Sequence, residues 1–196
     1  WIIVDDCDPI TTDIVPDDFR EGWEIVRVRP TPIWTPEQNT QFRNMLAAID
    51  ALPEDYMTRD IEAVFIIEDD DYYKPWYIQE MVARMGDFDI IGETNTMYYN
   101  VKYRKCLPME NYQHSSLFQT AISVRGVPFL KDACSKPPAG DYFFIDITIW
   151  REIENKHLFN AGNIAIGIKG MPGRFGLGGG HDDKWGTPDR FFNHMR

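Results

Sequence analysis

Five apolar residues, Ala63-Val64-Phe65-Ile66-Ile67, run directly into four carboxylates, Glu68-Asp69-Asp70-Asp71. No other part of the chain constrains the fold as much. A continuous apolar run of this length is the pattern of a strand covered on both faces, as in a parallel sheet. Four adjacent carboxylates repel one another, so they need either a solvated strand end or a cation. Ligands of open α/β sheets bind beyond the carboxyl ends of the strands, which is where these acids fall. In extended chain, residues two apart point the same way, so Asp69 and Asp71 are expected to converge on one cation. Hard oxygen ligands of this kind suit Mg2+ or Mn2+. The plainer alternative is an acidic turn that caps the helix beginning at Pro75, since acids are favoured at helix N-termini.

The opening of the chain has the same layout. Trp1-Ile2-Ile3-Val4 closes on Asp5-Asp6-Cys7-Asp8, and carboxylates at a strand end can accept hydrogen bonds from a ribose or nucleobase. An exposed turn before Pro9 is the alternative here. Because Trp1 already stands inside a strand pattern, we expect residues upstream of it. Strand and helix patterns then alternate. The run 23–28 is rich in branched residues. Thr35-Pro36-Glu37-Gln38 offers a capping residue, a proline at the first helical position and Gln three residues after the cap. Phe42, Met45, Leu46 and Ile49 follow at helical spacing to about Leu52. A second helix is predicted after Lys74-Pro75, with Ile78, Met81, Val82 and Met85 on one face. Short strands are predicted at 89–92, 117–124 and 163–168, and 141–154 reads as helix rather than strand. The alternation predicts one α/β domain over residues 1–196, with a mostly parallel, mixed central sheet flanked by helices. A chain of 196 residues can bury about 70% of its unfolded surface around a single core.

A third segment stands out near the C-terminus. From Gly170 to His181, six of twelve residues are glycine, and Lys169 and Arg174 add two cations. It is not a Walker loop, because no GxxxxGK[ST] is present. A loop of this composition can close over a diphosphate, neutralise a leaving group and bring His181 to a metal; an ordinary surface loop with an exposed histidine is the alternative. The charge balance excludes some partners. With 31 acidic and 20 basic residues the net charge is -11, which opposes unspecific nucleic-acid binding. Three cysteines without CxxC spacing indicate neither a disulfide framework nor a thiolate zinc site. No apolar run approaches the roughly 20 residues of a membrane span, and no secretory leader pattern opens the chain. A cytoplasmic protein with no membrane span is expected.

Taken together, Asp5-Asp6 after a strand, Arg43-Asn44 in a helix, and Glu68-Asp69-Asp70-Asp71 followed by Pro75 and Met81-Val82 resemble family 2 glycosyltransferases of the GT-A fold. The likeness is good from Trp1 to about Gly92 and weak from there to Arg196, where only a late acid and the Gly-His ending of the glycine segment are similar to short bacterial and viral members. The first strand and helix usual in that family are not in this sequence. The family's Glu-Asp pair is not literal either: its candidates are Asp146, in Phe143-Phe144-Ile145-Asp146 ahead of Trp150-Arg151, and secondly Asp141.

The resemblance implies a nucleotide-sugar donor, most often a UDP-sugar, held by Mn2+ or Mg2+. It implies that Asp5 and Asp6 contact the nucleoside with Arg43 nearby, that Asp69 and Asp71 are the DxD metal residues, and that Asp70 faces ribose or sugar. Asp146, or else Asp141, would be the general base of an inverting transfer, while Lys169 and Arg174 stabilise the leaving diphosphate and His181 joins the metal. The acceptor would be a hydroxyl of a saccharide, or of a modified nucleic-acid base in a viral member. His114-Ser115-Ser116, Tyr98-Tyr99 and the six tryptophans are candidates to line its site, although aromatics are more often core. Two other readings stay open. Asp6-Cys7-Asp8 is similar to the paired aspartates of phosphatases that form a phospho-aspartate, with Asp182-Asp183 as late acids, but Ile10 stands where Thr or Val is expected. A nucleotide-binding module without catalysis is the other.

Overall fold

The computed structural model describes residues 1–6, 22–33, 40–136 and 144–170, and these form ten short strands and four α-helices. In chain order they are β1 (Ile2–Val4), β2 (Val26–Val28), α1 (Gln41–Asp50), β3 (Ala63–Phe65), β4 (Tyr72–Tyr73), α2 (Tyr77–Met85), β5 (Ile90–Glu93), β6 (Asn95–Asn100), β7 (Lys105–Glu110), β8 (Thr120–Ser123), α3 (Val127–Ser135), α4 (Ile145–Glu152), β9 (Lys156–Phe159) and β10 (Ala165–Lys169).

Three sheets result. β1 and β2 pair in parallel, a four-stranded sheet has the order β3-β8-β5-β9, and a second has the order β4-β10-β6-β7. The chain is therefore of mixed α/β class. The expectation of a mostly parallel sheet needs correcting. Among the described residues β1–β2, β6–β10 and β5–β9 are parallel, while β4–β10, β3–β8, β5–β8 and β6–β7 are antiparallel. β3, whose apolar run predicts parallel neighbours, pairs antiparallel with β8. The reason lies in what such a run reports. It records that both faces are covered, and says nothing about the direction of the neighbouring strand.

Both faces of β3 are indeed covered. Val64 and Ile66 join a core built with Phe42 and Ile49 of α1, Leu130 of α3 and Ile149 and Trp150 of α4. Ala63 and Phe65 turn to a second core with Tyr77, Met81 and Met85 of α2. The same alternation divides Ile90 from Ile91 and Ile122 from Ala121, all fully buried. Burying each such Ile is worth about 1.5–3 kcal/mol, so this sheet and the helices over it carry much of the stability.

The helices fall where the apolar spacing places them, with local shifts. Tyr77, Met81 and Met85 form the buried stripe of α2, at i, i+4 and i+8, whereas Ile78, expected on that face, is 47% exposed. The expected cap Thr35-Pro36 of the first helix lies outside the described residues; α1 is described from Gln41. Helix α3, strand β9 and the β6–β7 hairpin have no counterpart among the expected elements. In that hairpin the Asn100 side-chain carbonyl accepts the backbone N–H groups of Lys102 and Tyr103, which turns the chain between strands. Among the described residues no helix is long and apolar enough to cross a membrane.

Candidate functional site

β3 stops at Phe65, two residues earlier than its apolar run, and the carboxylates lie on the turn beyond it. The Asp71 N–H donates to the Glu68 carbonyl at 3.3 Å, closing a four-residue turn. This turn changes which acids meet. Glu68, Asp70 and Asp71 each place a carboxylate oxygen within 4.8 Å of the others, and Asp69 is exposed and outside this group. The expected convergence of Asp69 with Asp71 assumes extended chain, and that alternation does not survive a turn. Asp70, expected to face ribose or sugar, is instead one of the three.

Two anchors hold the turn. The backbone N–H of Glu68 donates to the Tyr73 hydroxyl at 2.9 Å, and the Ile168 N–H donates to Asp71 Oδ1 at 2.7 Å. Tyr73 lies on β4 and Ile168 on β10, so the turn is clamped from two adjacent strands. Asp71 Oδ2 is buried, and no N–H or hydroxyl donor of the described residues reaches it. Its neighbour is the Glu68 carboxyl. Burial, then the Asp71 charge, push Glu68 well above the usual carboxylate range, while Lys169 opposes the shift. Burial likewise pushes Asp71 up, against Lys169 and the Ile168 N–H. Burial and the closeness of the two carboxyls therefore both favour a proton on one of them when no cation is bound. Three half-buried carboxylates, one with an oxygen that no N–H or hydroxyl of the described residues reaches, are a donor set that suits a hard divalent cation. Mn2+ or Mg2+ fits the residues present.

The strip beside this centre is polar and continuous. Tyr98 on β6 faces Gly167 on β10, and a Cβ at Gly167 would sit 2.5 Å from Cδ1 of the Tyr98 ring. Only glycine allows that close approach. Lys169 Nζ lies 5.5 Å from the centre of the same ring, and the Tyr98 hydroxyl is 3.1 Å from Ser116 Oγ. β10 thus brings Lys169 close enough for its charge to act on Glu68 and Asp71. Burial pushes the Tyr98 hydroxyl up to about 12, and the charges of Asp146, Glu68 and Asp71 all act on it in the same direction.

Asp146 occupies the first turn of α4 and is half-buried. One helical turn on, the Trp150 indole N–H donates to Thr120 Oγ1, and Thr120 Oγ1 donates to the Ser116 carbonyl. Residues four apart share a helix face, so Asp146 stands on the same face of α4 as Trp150. Burial raises its pKa, with the Ile147 N–H and the charge of His114 opposing.

The first junction forms a separate network. Asp6 Oδ2 accepts from Thr40 Oγ1 at 2.9 Å, Arg43 Nη2 at 2.9 Å and Asn44 Nδ2 at 2.8 Å. Asp6 and Arg43, expected in one subsite, are thus in direct contact, and they tie the end of β1 to the start of α1. Asp5 donates its N–H to the Val28 carbonyl in the β1–β2 pair. Asp141, Arg174 and His181 lie outside the described residues, as do Cys7, Asp8, Asp182, Asp183 and the glycine segment from Met171 onward.

Sequence reasoning misses Glu93. This last residue of β5 is fully buried, and both its oxygens are engaged. Oε1 accepts from Ala161 N and Asn163 N, and Oε2 accepts from Ile164 N and Gln119 Nε2. A carboxylate directly after Ile90-Ile91-Gly92 is the available signal, since a charge ending a fully buried strand has to be satisfied internally. An open groove lined by Ile61, Glu62, Val82, Met85 and Arg125 lies near the start of β3, away from the carboxylates at its other end. Compared with models of known families and with curated proteins, the chain finds no match.

Proposed function

We propose that the chain is a metal-dependent glycosyltransferase: a single GT-A-like domain that moves a sugar from a nucleotide-sugar, of which UDP-sugars are the first to test, to an acceptor hydroxyl. The observation that carries this reading is the meeting of Glu68, Asp70 and Asp71 at the end of β3, around an Asp71 oxygen that no N–H or hydroxyl donor of the described residues reaches. Bound there, Mn2+ or Mg2+ would neutralise charge on the donor diphosphate as it leaves.

The chain's own residues supply the rest. Lys169, which reaches over Tyr98 beside the turn, would donate to a phosphate oxygen. Asp146 takes the proton of the acceptor hydroxyl as that oxygen bonds to the anomeric carbon and the bond from that carbon to the phosphate oxygen breaks. Its raised pKa makes it a stronger base than an ordinary aspartate. Asp6, Arg43 and Asn44 shape the end of β1, where the resemblance puts the nucleoside. The phosphatase reading is less well supported, because Asp6 Oδ2 already accepts from three donors. The test is a panel of nucleotide-sugars with Mn2+, followed for release of nucleoside diphosphate and transfer to saccharide acceptors. Turnover of a generic phosphate ester, with no nucleotide-sugar consumed, contradicts the proposal.

A further inference from the structure

The carboxylate turn depends on the place where β4 meets β10. β4 is two residues long and pairs with β10 through Tyr73 opposite Ala165 and Tyr72 opposite Ile166. One anchor of the turn, Tyr73, which accepts the Glu68 N–H, lies in this short ladder; the other, Ile168, which donates to Asp71, lies two residues beyond it on β10, where β10 pairs with β6. The start of β10, which sets both the partner of Tyr73 and the entry of the strand that carries Ile168, is therefore one of the points that fix the turn.

That start is held from inside the molecule. Residues 161–164 bring the chain from β9 into β10, with Gly162 and Asn163 both at positive φ. A bend of this kind leaves its N–H groups without ladder partners. Three of them, from Ala161, Asn163 and Ile164, converge on the Glu93 carboxylate at 3.1, 2.6 and 2.9 Å. The Ile164 carbonyl in turn accepts the Lys74 N–H at 3.0 Å, which ties the residue after β4 to the same bend. Gln119 Nε2 completes the shell by donating to Glu93 Oε2 at 2.8 Å and to the Asn95 carbonyl at 3.1 Å.

We infer that Glu93 is a positioning residue for the carboxylate centre: fully buried, it fixes the start of β10 at the β4–β10 junction and through it the spacing of Glu68, Asp70 and Asp71. Only an ionised carboxylate offers acceptors to four N–H groups at once. In Glu93→Gln the amide NH2 would face backbone N–H groups, so some bonds are lost and the bend loosens. Damage of this kind is expected at the turn rather than across the fold, because β3, β5 and β8 are held by the two apolar cores. The inference rests on reading the three acids as a cation site.

The experiment compares the full chain with Glu93→Gln and with Leu130→Ala, a core truncation in α3 away from the turn. Mn2+ affinity is measured by calorimetry, and amide exchange at Ile168 is followed without metal. We expect Glu93→Gln to lose about ten- to a hundredfold in Mn2+ affinity, the usual effect of losing a group that orients metal ligands, and to exchange the Ile168 amide faster. Leu130→Ala should change neither. If Glu93→Gln does not fold, the same measurements on Glu93→Asp decide. A folded Glu93 variant with unaltered Ile168 exchange overturns the inference, as does an equal Mn2+ loss in Leu130→Ala. A wild-type chain that binds no Mn2+ removes the cation reading, and Ile168 exchange still decides the role of Glu93 at the junction.

Discussion

Replacing Asp71 by Asn keeps the size of the side chain and an acceptor for the Ile168 N–H, but removes the charge and fills the place of Oδ2 with a donor. Asp71→Asn should therefore lower Mn2+ affinity by more than about a hundredfold, beyond the effect of losing an outer partner, while the fold persists by circular dichroism. Asp69→Asn should leave Mn2+ affinity within about threefold, since the exposed Asp69 is outside the group; the factor is of the size expected for a weak surface charge. Asp146→Asn should retain donor binding and lose transfer by about 10² to 10⁴, the usual contribution of a general base. A variant that transfers at the wild-type rate would end that assignment. At this scale the sequence is informative about where the acids cluster and poor about which of them meet. Four carboxylates after an apolar run are plain at residues 68–71, but a single 3.3 Å turn bond decides that Glu68 and Asp70 join Asp71 and Asp69 does not. Glu93 is hard to read from sequence because its backbone partners lie 68, 70 and 71 residues later.

Among the elements, the close approach of β5 to α4 leads to a prediction. A Cβ at Gly92 would sit 2.4 Å from Ser115 Cβ and 2.7 Å from the Trp150 ring, all within the core. Gly92→Ala should destabilise the chain by about 1–3 kcal/mol, the usual cost of overpacking, read as a lowered midpoint in urea. A midpoint unchanged from wild type would mean that this contact is looser than described. Apolar runs and helical stripes are legible because they report burial, and β3, β5, α1 and α2 all lie near where the pattern places them. Pairing is not legible. The β6 strand, Asn95-Thr96-Met97-Tyr98-Tyr99-Asn100, has no apolar alternation, and its partners β7 and β10 are chosen by long-range contacts. The direction of β8 against β3 is set by the path of the chain between them, and local pattern carries no record of it.

For the whole molecule, the buried acids make stability depend on pH. Burial raises Glu68 from 4.5 to about 8, and Asp71 and Asp146 shift in the same direction. A carboxyl whose pKa is raised by folding binds more protons in the native state than in the unfolded one. Its contribution is fully present below the unfolded pKa and is lost as pH rises through the folded one. The metal-free chain should therefore melt at progressively lower temperature as pH rises from about 4.5 to about 8. Thermal melts in a chelator check this, and Glu68→Gln should flatten the slope. A melting temperature that rises across that window would contradict the burial of these acids. With Mn2+ present the fall should be offset, since a ligand that binds only the folded state adds stability.

The central claim is that Glu68, Asp70 and Asp71 hold a cation that in turn holds a nucleoside diphosphate. Its most direct test is calorimetric titration of UDP into the chain with and without Mn2+, in wild type, Asp69→Asn and Asp71→Asn. The account predicts UDP binding that requires Mn2+ in wild type, persists in Asp69→Asn and disappears in Asp71→Asn. UDP affinity that is the same with and without Mn2+, or that survives in Asp71→Asn, would contradict it.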